Sequence, residues 1–555
     1  MNYTNPENLE TTSLPEEVKV EYGKEPFVVI TENNYKTAIP AFCKAIFKFF
    51  LTENPVLDSE INYRIVASLE SILNHLPRPF TVVQEFYHID SAFRDTYYTY
   101  FSNQHFQITR HSRRLSFFLC EINANRFFSN DIEDQEVISD SFVGSCVINP
   151  LYAGALGRTL ISPLYFLGNS NSPVYVRLSL YTLHIYGKKF SVRAFPYRMQ
   201  DGRTMRCTEV TLLNLLEYYA NSYPDYRQTL PSDILTNEQK HSYERVLPSR
   251  GISYPTLTKL LFESGFFPRL YNLSSITEFS LSNVTRDEQL RRIMHYYVES
   301  GIPVAVNLLP VFGDGSGHSI ICIGHGCSKP VLIQRAKKNK VVSFKHKDFC
   351  HPIIDSADFF EDYVIIDDNQ PVYQTKNFYS LSLYPDMRVE DIAVPLHRRM
   401  FLDATDAASI VKSILHHKHY GIDAWTEGFL KPQEDVIIRL FLTSSYSLKE
   451  FRINAMSDPL AKEAYSIIPM PHFVWVCELY RMEDYKTLKA FGEVVLDATF
   501  VSDGGANYQG IILMRYPKVI VLRYPEDMSS FFPDTLEIAD NDLFPGFRGN
   551  LEEFS

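Results

Sequence analysis

The chain has 555 residues, 45% hydrophobic and 22% charged, with a formal net charge of −12. That composition excludes a disordered chain and supplies apolar side chains for about two to four separate cores. The acidic balance, with no long Lys/Arg block, argues against non-specific binding to a phosphate backbone, and no run of about 20 apolar residues offers a membrane span.

Residues 1–78 are expected to be a helical region. The start, "MNYTNPENLETTSLPEEVKV", is polar and lacks the basic and apolar parts of a secretory signal. "PAFCKAIFKFFL" and "DSEINYRIVASLESILNHL" then repeat apolar residues at helical spacing. Asp58 and Ser59 are suitable caps for the second helix, and Pro77 and Pro79 close it. Residues 79–195 form a β-rich region: "FTVVQEFYHID", "FVGSCVINPLY", "VYVRLSLYTLHIYG" and "FSVRAFPY" carry the β-branched and aromatic residues of strands, with "YGKKF" as a hairpin turn. The aromatic, basic stretch "AFRDTYYTYFSNQHFQITRHSRRLSFF" is expected as a helix packed on that sheet, with a recognition surface as the alternative.

Residues 196–390 alternate more regularly. Helices are expected after Cys207 ("TEVTLLNLLEYYANSY"), after Tyr254 ("PTLTKLLFESG") and over "TRDEQLRRIMHYYVESG", where Thr285 and Glu288 make a capping box and Gly301 lies beyond the end. Strands are expected at "FFPRLYNL", "IPVAVNLL", "HSIICIG" and "DYVIIDD". Helices followed by several strands predict an α+β domain, helices packed on an antiparallel sheet. Residues 391–555 form a further mixed α/β region, with strands at "EDVIIRLFLTS", "HFVWVCELYR", "GEVVLDATFVS" and "GIILMRYPKVIVLRY", a helix at "SDPLAKEAYSII", and a loose acidic tail, "DNDLFPGFRGNLEEFS".

The chemistry centres on "GDGSGHSIICIGHG", which puts His318 at the start of an apolar run after a glycine-rich turn. A thiolate is favoured at a helix N-terminus and beside an imidazolium. Of the eight cysteines, Cys43, Cys120, Cys146, Cys207, Cys322, Cys327, Cys350 and Cys477, only Cys207 opens a long, well-patterned helix, with Arg206 adjacent. The eight are scattered with no C-x-x-C pair, which predicts reduced thiols and a cytoplasmic location. An imidazole also needs an orienting group, and "DYVIIDDN" ends a buried strand with Asp367, Asp368 and Asn369. Gln200, on the loop entering the helix, and the Cys207 amide are candidate oxyanion donors.

A cysteine on a helix start with a glutamine shortly upstream, followed by "GIPVAVNL", "GHSIICIG" and "VIIDD", resembles the papain-like cysteine peptidase superfamily, closest in style to the bacterial leader peptidases that process bacteriocin precursors. The resemblance spans about residues 196–376. It implies a papain-like domain with Cys207 as nucleophile, His318 as general base and acid, Asp367 as orienter and Gln200 at the oxyanion hole, with Asp368 the alternative third member. The separation of 49 positions from His318 to Asp367 implies an insertion over 327–362. The implied activity is hydrolysis of a peptide or isopeptide bond in a protein or peptide substrate. No cofactor, nucleic acid or membrane is called for, and the flanking regions are candidates for docking a regulatory partner. Acyl transfer by the same triad and an inactive papain-like binding scaffold remain alternatives. A zinc site from His325, Cys327, His346, Cys350 and His351 is the competing chemistry, and its spacings fit no common zinc knuckle.

Overall fold

The computed structural model describes residues 24–51, 59–104, 108–151, 156–168, 172–241, 246–276, 284–312, 317–338, 351–384, 386–501, 510–523, 534–538 and 543–554, with 47–51 and 59–65 as backbone only. The architecture is α+β, built on antiparallel sheets with helices packed against them. No helix among the described residues is long and apolar enough to cross a membrane.

The N-terminal sheet is a five-stranded antiparallel meander: Phe27–Ile30, Phe80–His88, Ser112–Phe118, Phe142–Ile148 and Leu156–Ile161. Helices Tyr35–Leu51 and Ser59–His75 cover one face, packing Ala38, Phe42, Leu69 and Leu73 on Val28, Phe80, Val82 and Leu115. The expected boundary at 78/79 is therefore bridged, because Phe27–Ile30 pairs with Phe80–His88 across it. The expected cap Asp58 lies outside the described residues. The hairpin Ser179–Ile185/Lys188–Ala194 forms as expected. Its turn residues Tyr186 and Gly187 both have positive φ, 47° and 86°, the turn whose twist matches that of a hairpin. In the aromatic, basic stretch, the helix Ser91–Thr99 forms as expected, but its last third is the fully buried strand Ser112–Phe118. Arg113 and Arg114 in that strand are buried against Gln84 and Glu85, so this arginine pair presents no recognition surface.

The central sheet runs in the order Gln374–Asn377, Asp362–Ile366, His318–His325, Val304–Pro310, Met387–Val394, Arg269–Asn272, all antiparallel. Alternation along His318–His325 sends Ile321 and Ile323 to one core, with the helix Cys207–Ser222, and Ile320 and Cys322 to another, with the helix Arg286–Glu299. The helix Arg286–Glu299 keeps its expected capping box, and Gly301 follows at φ 70°. It is buried nearly all round because its other side meets a second sheet. That sheet has seven strands, Ile353–Asp355, Val436–Ser444, Phe473–Arg481, Gly492–Asp497, Ile511–Tyr516, Val519–Leu522 and Asp534–Glu537. Its far face carries helices Ser445–Ala455 and Pro459–Ile467. Ile353–Asp355 comes from the expected insertion and pairs in parallel with Val436–Ser444, so the 390/391 boundary is also crossed.

The tail differs from the loose segment expected. Phe544 and Phe547 are buried, Asn550 bonds the carbonyls of Glu299 and Leu442, and Glu552–Phe554 pairs with Val174–Val176, which in turn pairs with His318–His325. A Cβ on Gly301 would lie 2.5 Å from the Asn550 carbonyl oxygen, so the tail approaches where only glycine leaves room.

One ionic cluster ties the N-terminal sheet to the helix Cys207–Ser222. Glu217 on that helix binds Arg158 at 2.6 Å and also Arg198. Burial pushes the Glu217 carboxyl up, but the two guanidinium groups outweigh it and hold it down to about 2. A carboxyl below its ordinary value contributes stability above that value and loses it as pH falls. Glu217→Gln should therefore cost about 2–3 kcal/mol at pH 7. In denaturant titrations the gap between variant and parent should close as pH falls from about 4.5 toward 2; a pH-independent gap would contradict the ionic account.

Candidate functional site

The helix Cys207–Ser222 begins at Cys207 itself, with Arg206 as an N-cap in extended conformation and no side-chain cap on that residue. With no cap side chain there, the first-turn amides and the helix dipole favour negative charge at the helix start, where the Cys207 sulfur lies. Glu209, fully buried at the third helical position, accepts the Ser249 hydroxyl. Burial pushes its carboxyl up, toward the neutral form. The thiol is half-buried.

His318 opens its strand and is 5% exposed. Its Nε2 lies 2.7 Å from Asp367 Oδ1 and 3.7 Å from Asp368 Oδ1. Burial alone would lower its pKa. The hydrogen bond to Asp367, an interaction with the Cys207 thiol and the charges of Asp367 and Asp368 raise it to about 11, so the ring is an imidazolium at neutral pH. With Nε2 engaged by the carboxylates, Nδ1 is the nitrogen left for the sulfur.

Asp367 immediately follows the strand Asp362–Ile366, and its carboxylate is closely held. Oδ1 also accepts the Asn369 N–H at 2.9 Å, and Oδ2 accepts Gln370 Nε2 at 2.6 Å. Burial pushes Asp367 up, but these bonds and His318 bring it below the ordinary value. Asp368 has fewer partners, and burial pushes it up to about 7, helped by Asp367 and opposed by His318. Of the two aspartates left open by the sequence, Asp367 therefore makes the orienting hydrogen bond.

Gln200 lies on the loop before the helix and donates from Nε2 to Asn369 Oδ1 at 3.1 Å, which anchors it on the segment that carries both aspartates. Asp201 shapes that loop by accepting the N–H groups of Arg203, Thr204 and Met205. A buried hydroxyl chain joins the helix of Cys207 to the strand of His318: Tyr254 to Ser319 at 2.8 Å and Ser319 to Thr211 at 3.1 Å. Ser319 follows His318 directly, and Thr211 lies one turn into the helix from Cys207. Tyr384, itself exposed, stands edge-on to the His318 ring at 6.4 Å.

The five residues singled out from the sequence, Cys207, His318, Asp367, Asp368 and Gln200, thus converge. Sequence reasoning missed Glu209, Gln370 and the Tyr254–Ser319–Thr211 chain. Only Glu209 had a readable signal, as an acid at the third position of a helix. The competing zinc set does not assemble among the described residues. His325 bonds Glu299 at 2.7 Å, while His351 bonds the Glu434 carbonyl; His346, Cys350 and the turn 313–316 lie outside the described residues.

Comparison with protein-family models and with curated proteins gives no match, so no relative supplies roles for these residues.

Burial pushes the thiols of Cys43, Cys146 and Cys477 up, and that of Cys322 to about 12. A brief treatment with iodoacetamide should therefore label Cys207 ahead of all four, as read by peptide mass spectrometry. Labelling of Cys120 or Cys327, the other half-exposed thiols among the described residues, before Cys207 would contradict an activated Cys207.

Proposed function

We propose that this chain is a papain-like cysteine peptidase that hydrolyses a peptide or isopeptide bond through Cys207, His318 and Asp367. One observation carries the reading: a single buried imidazole has Asp367 at 2.7 Å from Nε2 and the thiol of a helix-opening cysteine close enough to act on its charge.

The sulfur, as thiolate, attacks the carbonyl carbon of the scissile bond. The developing oxyanion is met by the Cys207 backbone N–H, which a first-turn residue leaves unpaired within its own helix, and by a Gln200 amide N–H. Gln200 has two such hydrogens, so its bond to Asn369 leaves one for substrate. The C–N bond breaks as His318 gives its Nδ1 proton to the leaving amine. Water then attacks the thioester, its proton passes to His318, and the acid product leaves the thiolate–imidazolium pair restored. Asp367 keeps the ring in one orientation and stabilises its charge throughout. The exposed Tyr384, edge-on to the His318 ring, suits a protein or peptide substrate that brings an apolar side chain to the mouth of the site. The chain is proposed to act in the cytoplasm, with partner docking assigned to the flanking regions.

Acyl transfer to an amine would use the same triad and differ only in what resolves the thioester. Cys207→Ala and His318→Ala should each lower turnover of a quenched fluorescent peptide library at least about a thousandfold while leaving circular dichroism unchanged. Products should be free acids with or without an added primary amine. An amide product in the presence of amine would replace hydrolysis with transfer, and turnover that survives Cys207→Ala would end the proposal.

A further inference from the structure

Asp368 is the one site residue that the peptide chemistry does not use. It is 5% exposed, and neither of its carboxylate oxygens accepts a hydrogen bond from any other described residue. Its nearest polar neighbour is His318 Nε2, 3.7 Å from Oδ1, which is too long for a hydrogen bond. That nitrogen has a single hydrogen, already directed at Asp367 at 2.7 Å. Burying a carboxylate without a partner costs free energy that a fold seldom leaves uncompensated.

The three ligand atoms, one from His318 and one from each aspartate, lie within 4.8 Å of one another, and all three residues are buried. One imidazole nitrogen with two carboxylates is a donor set for a zinc-type divalent ion. Calcium and magnesium, which take six or more oxygen ligands, fit it poorly. Tetrahedral zinc bonds of about 2.0–2.2 Å place ligand atoms about 3.4 Å apart. The observed 2.7 Å and 3.7 Å bracket that spacing, so small side-chain rotations complete the cage. Cys207 is not among the clustered atoms.

We infer that His318 Nε2, Asp367 and Asp368 form an inhibitory site for a zinc-type divalent ion, a regulation that rests on the peptidase proposed above. The ion takes the place of the Nε2 proton, which is released to solvent. Asp367 is then drawn from orienting the ring to holding the metal, and the ring, held by the ion, no longer presents Nδ1 to the sulfur, so the thiol loses the partner that stabilises its thiolate. The same pocket thus holds either a proton, with the enzyme competent, or a metal ion, with it silent.

The test is Zn2+ titration of the full chain against a chromophoric chelator, with Cys207 alkylation followed in parallel. One ion should bind per chain and slow alkylation of Cys207. Asp368→Asn should weaken binding at least about tenfold, and Cys207→Ala should leave binding intact. Co2+ substitution of the parent chain should show nitrogen and oxygen ligation with no sulfur-to-cobalt charge-transfer band, a readout that needs no variant to fold. Affinity unchanged in Asp368→Asn, binding lost in Cys207→Ala, a sulfur band, or bound Zn2+ that leaves alkylation unaffected would each overturn the inference. Peptide turnover with no effect of Asp368→Asn on Zn2+ affinity would sink this inference alone. Binding as described in a chain without turnover would sink the peptidase reading and leave the metal site standing.

Discussion

The buried bond between His318 and Asp367 is the constraint on which the site depends. Taking an imidazolium and a carboxylate out of water is costly, and a buried pair of this kind seldom stabilises a fold on balance. Its value here is orientation. Asp367 is itself held by Asn369 and Gln370, so the bond from His318 Nε2 has a fixed acceptor. The Tyr254–Ser319–Thr211 chain then sets the distance between helix and strand. Orientation and distance are thereby governed by separate sets of bonds, the first made in the turn that follows the strand Asp362–Ile366 and the second between helices and a strand.

The strand that carries His318 is also the strand the rest of the molecule grips. Its far end, His325, bonds Glu299 on the central helix. Glu299 bonds Arg439, Arg439 bonds Glu478, and Glu478 bonds Arg452, which reaches Glu493. The chain of alternating charges crosses from the central sheet through the second sheet. Burial opposes the charges of Glu299, Glu478, Arg439 and Arg452, yet the two carboxyls are held below, and the two guanidinium groups above, their ordinary values by their partners. The C-terminal strand closes the arrangement by joining Val174–Val176 on the edge of the same sheet. Residues outside 196–376 are thus part of the scaffold of the site.

What was legible in the sequence was local. A cysteine before a long amphipathic run, a histidine opening an apolar strand and an acid closing another are patterns of a few residues, and each of these elements forms where its pattern predicts. Thr285 and Glu288 likewise specify a helix start by themselves. What was not legible depended on distant partners. Arg291 and Glu299 look like the solvated face of an amphipathic helix, yet both are buried, because the groups that satisfy them lie 66 and 140 residues away, at Ala357 and Arg439. The tail looked acidic and loose because Phe544 and Phe547 have no local pattern; what orders them is a seam that exists only once both sheets have formed. The choice between Asp367 and Asp368 was likewise beyond periodicity, since it is decided by a difference of 1 Å in reach to a single nitrogen.

The central claim is that His318 makes the Cys207 sulfur nucleophilic, and the rate of Cys207 alkylation at pH 7 in the parent chain and in His318→Ala tests it most directly. The account predicts a rate at least about tenfold slower in the variant, since an unassisted thiol is only a few per cent ionised at that pH. Equal rates in the two chains would contradict it.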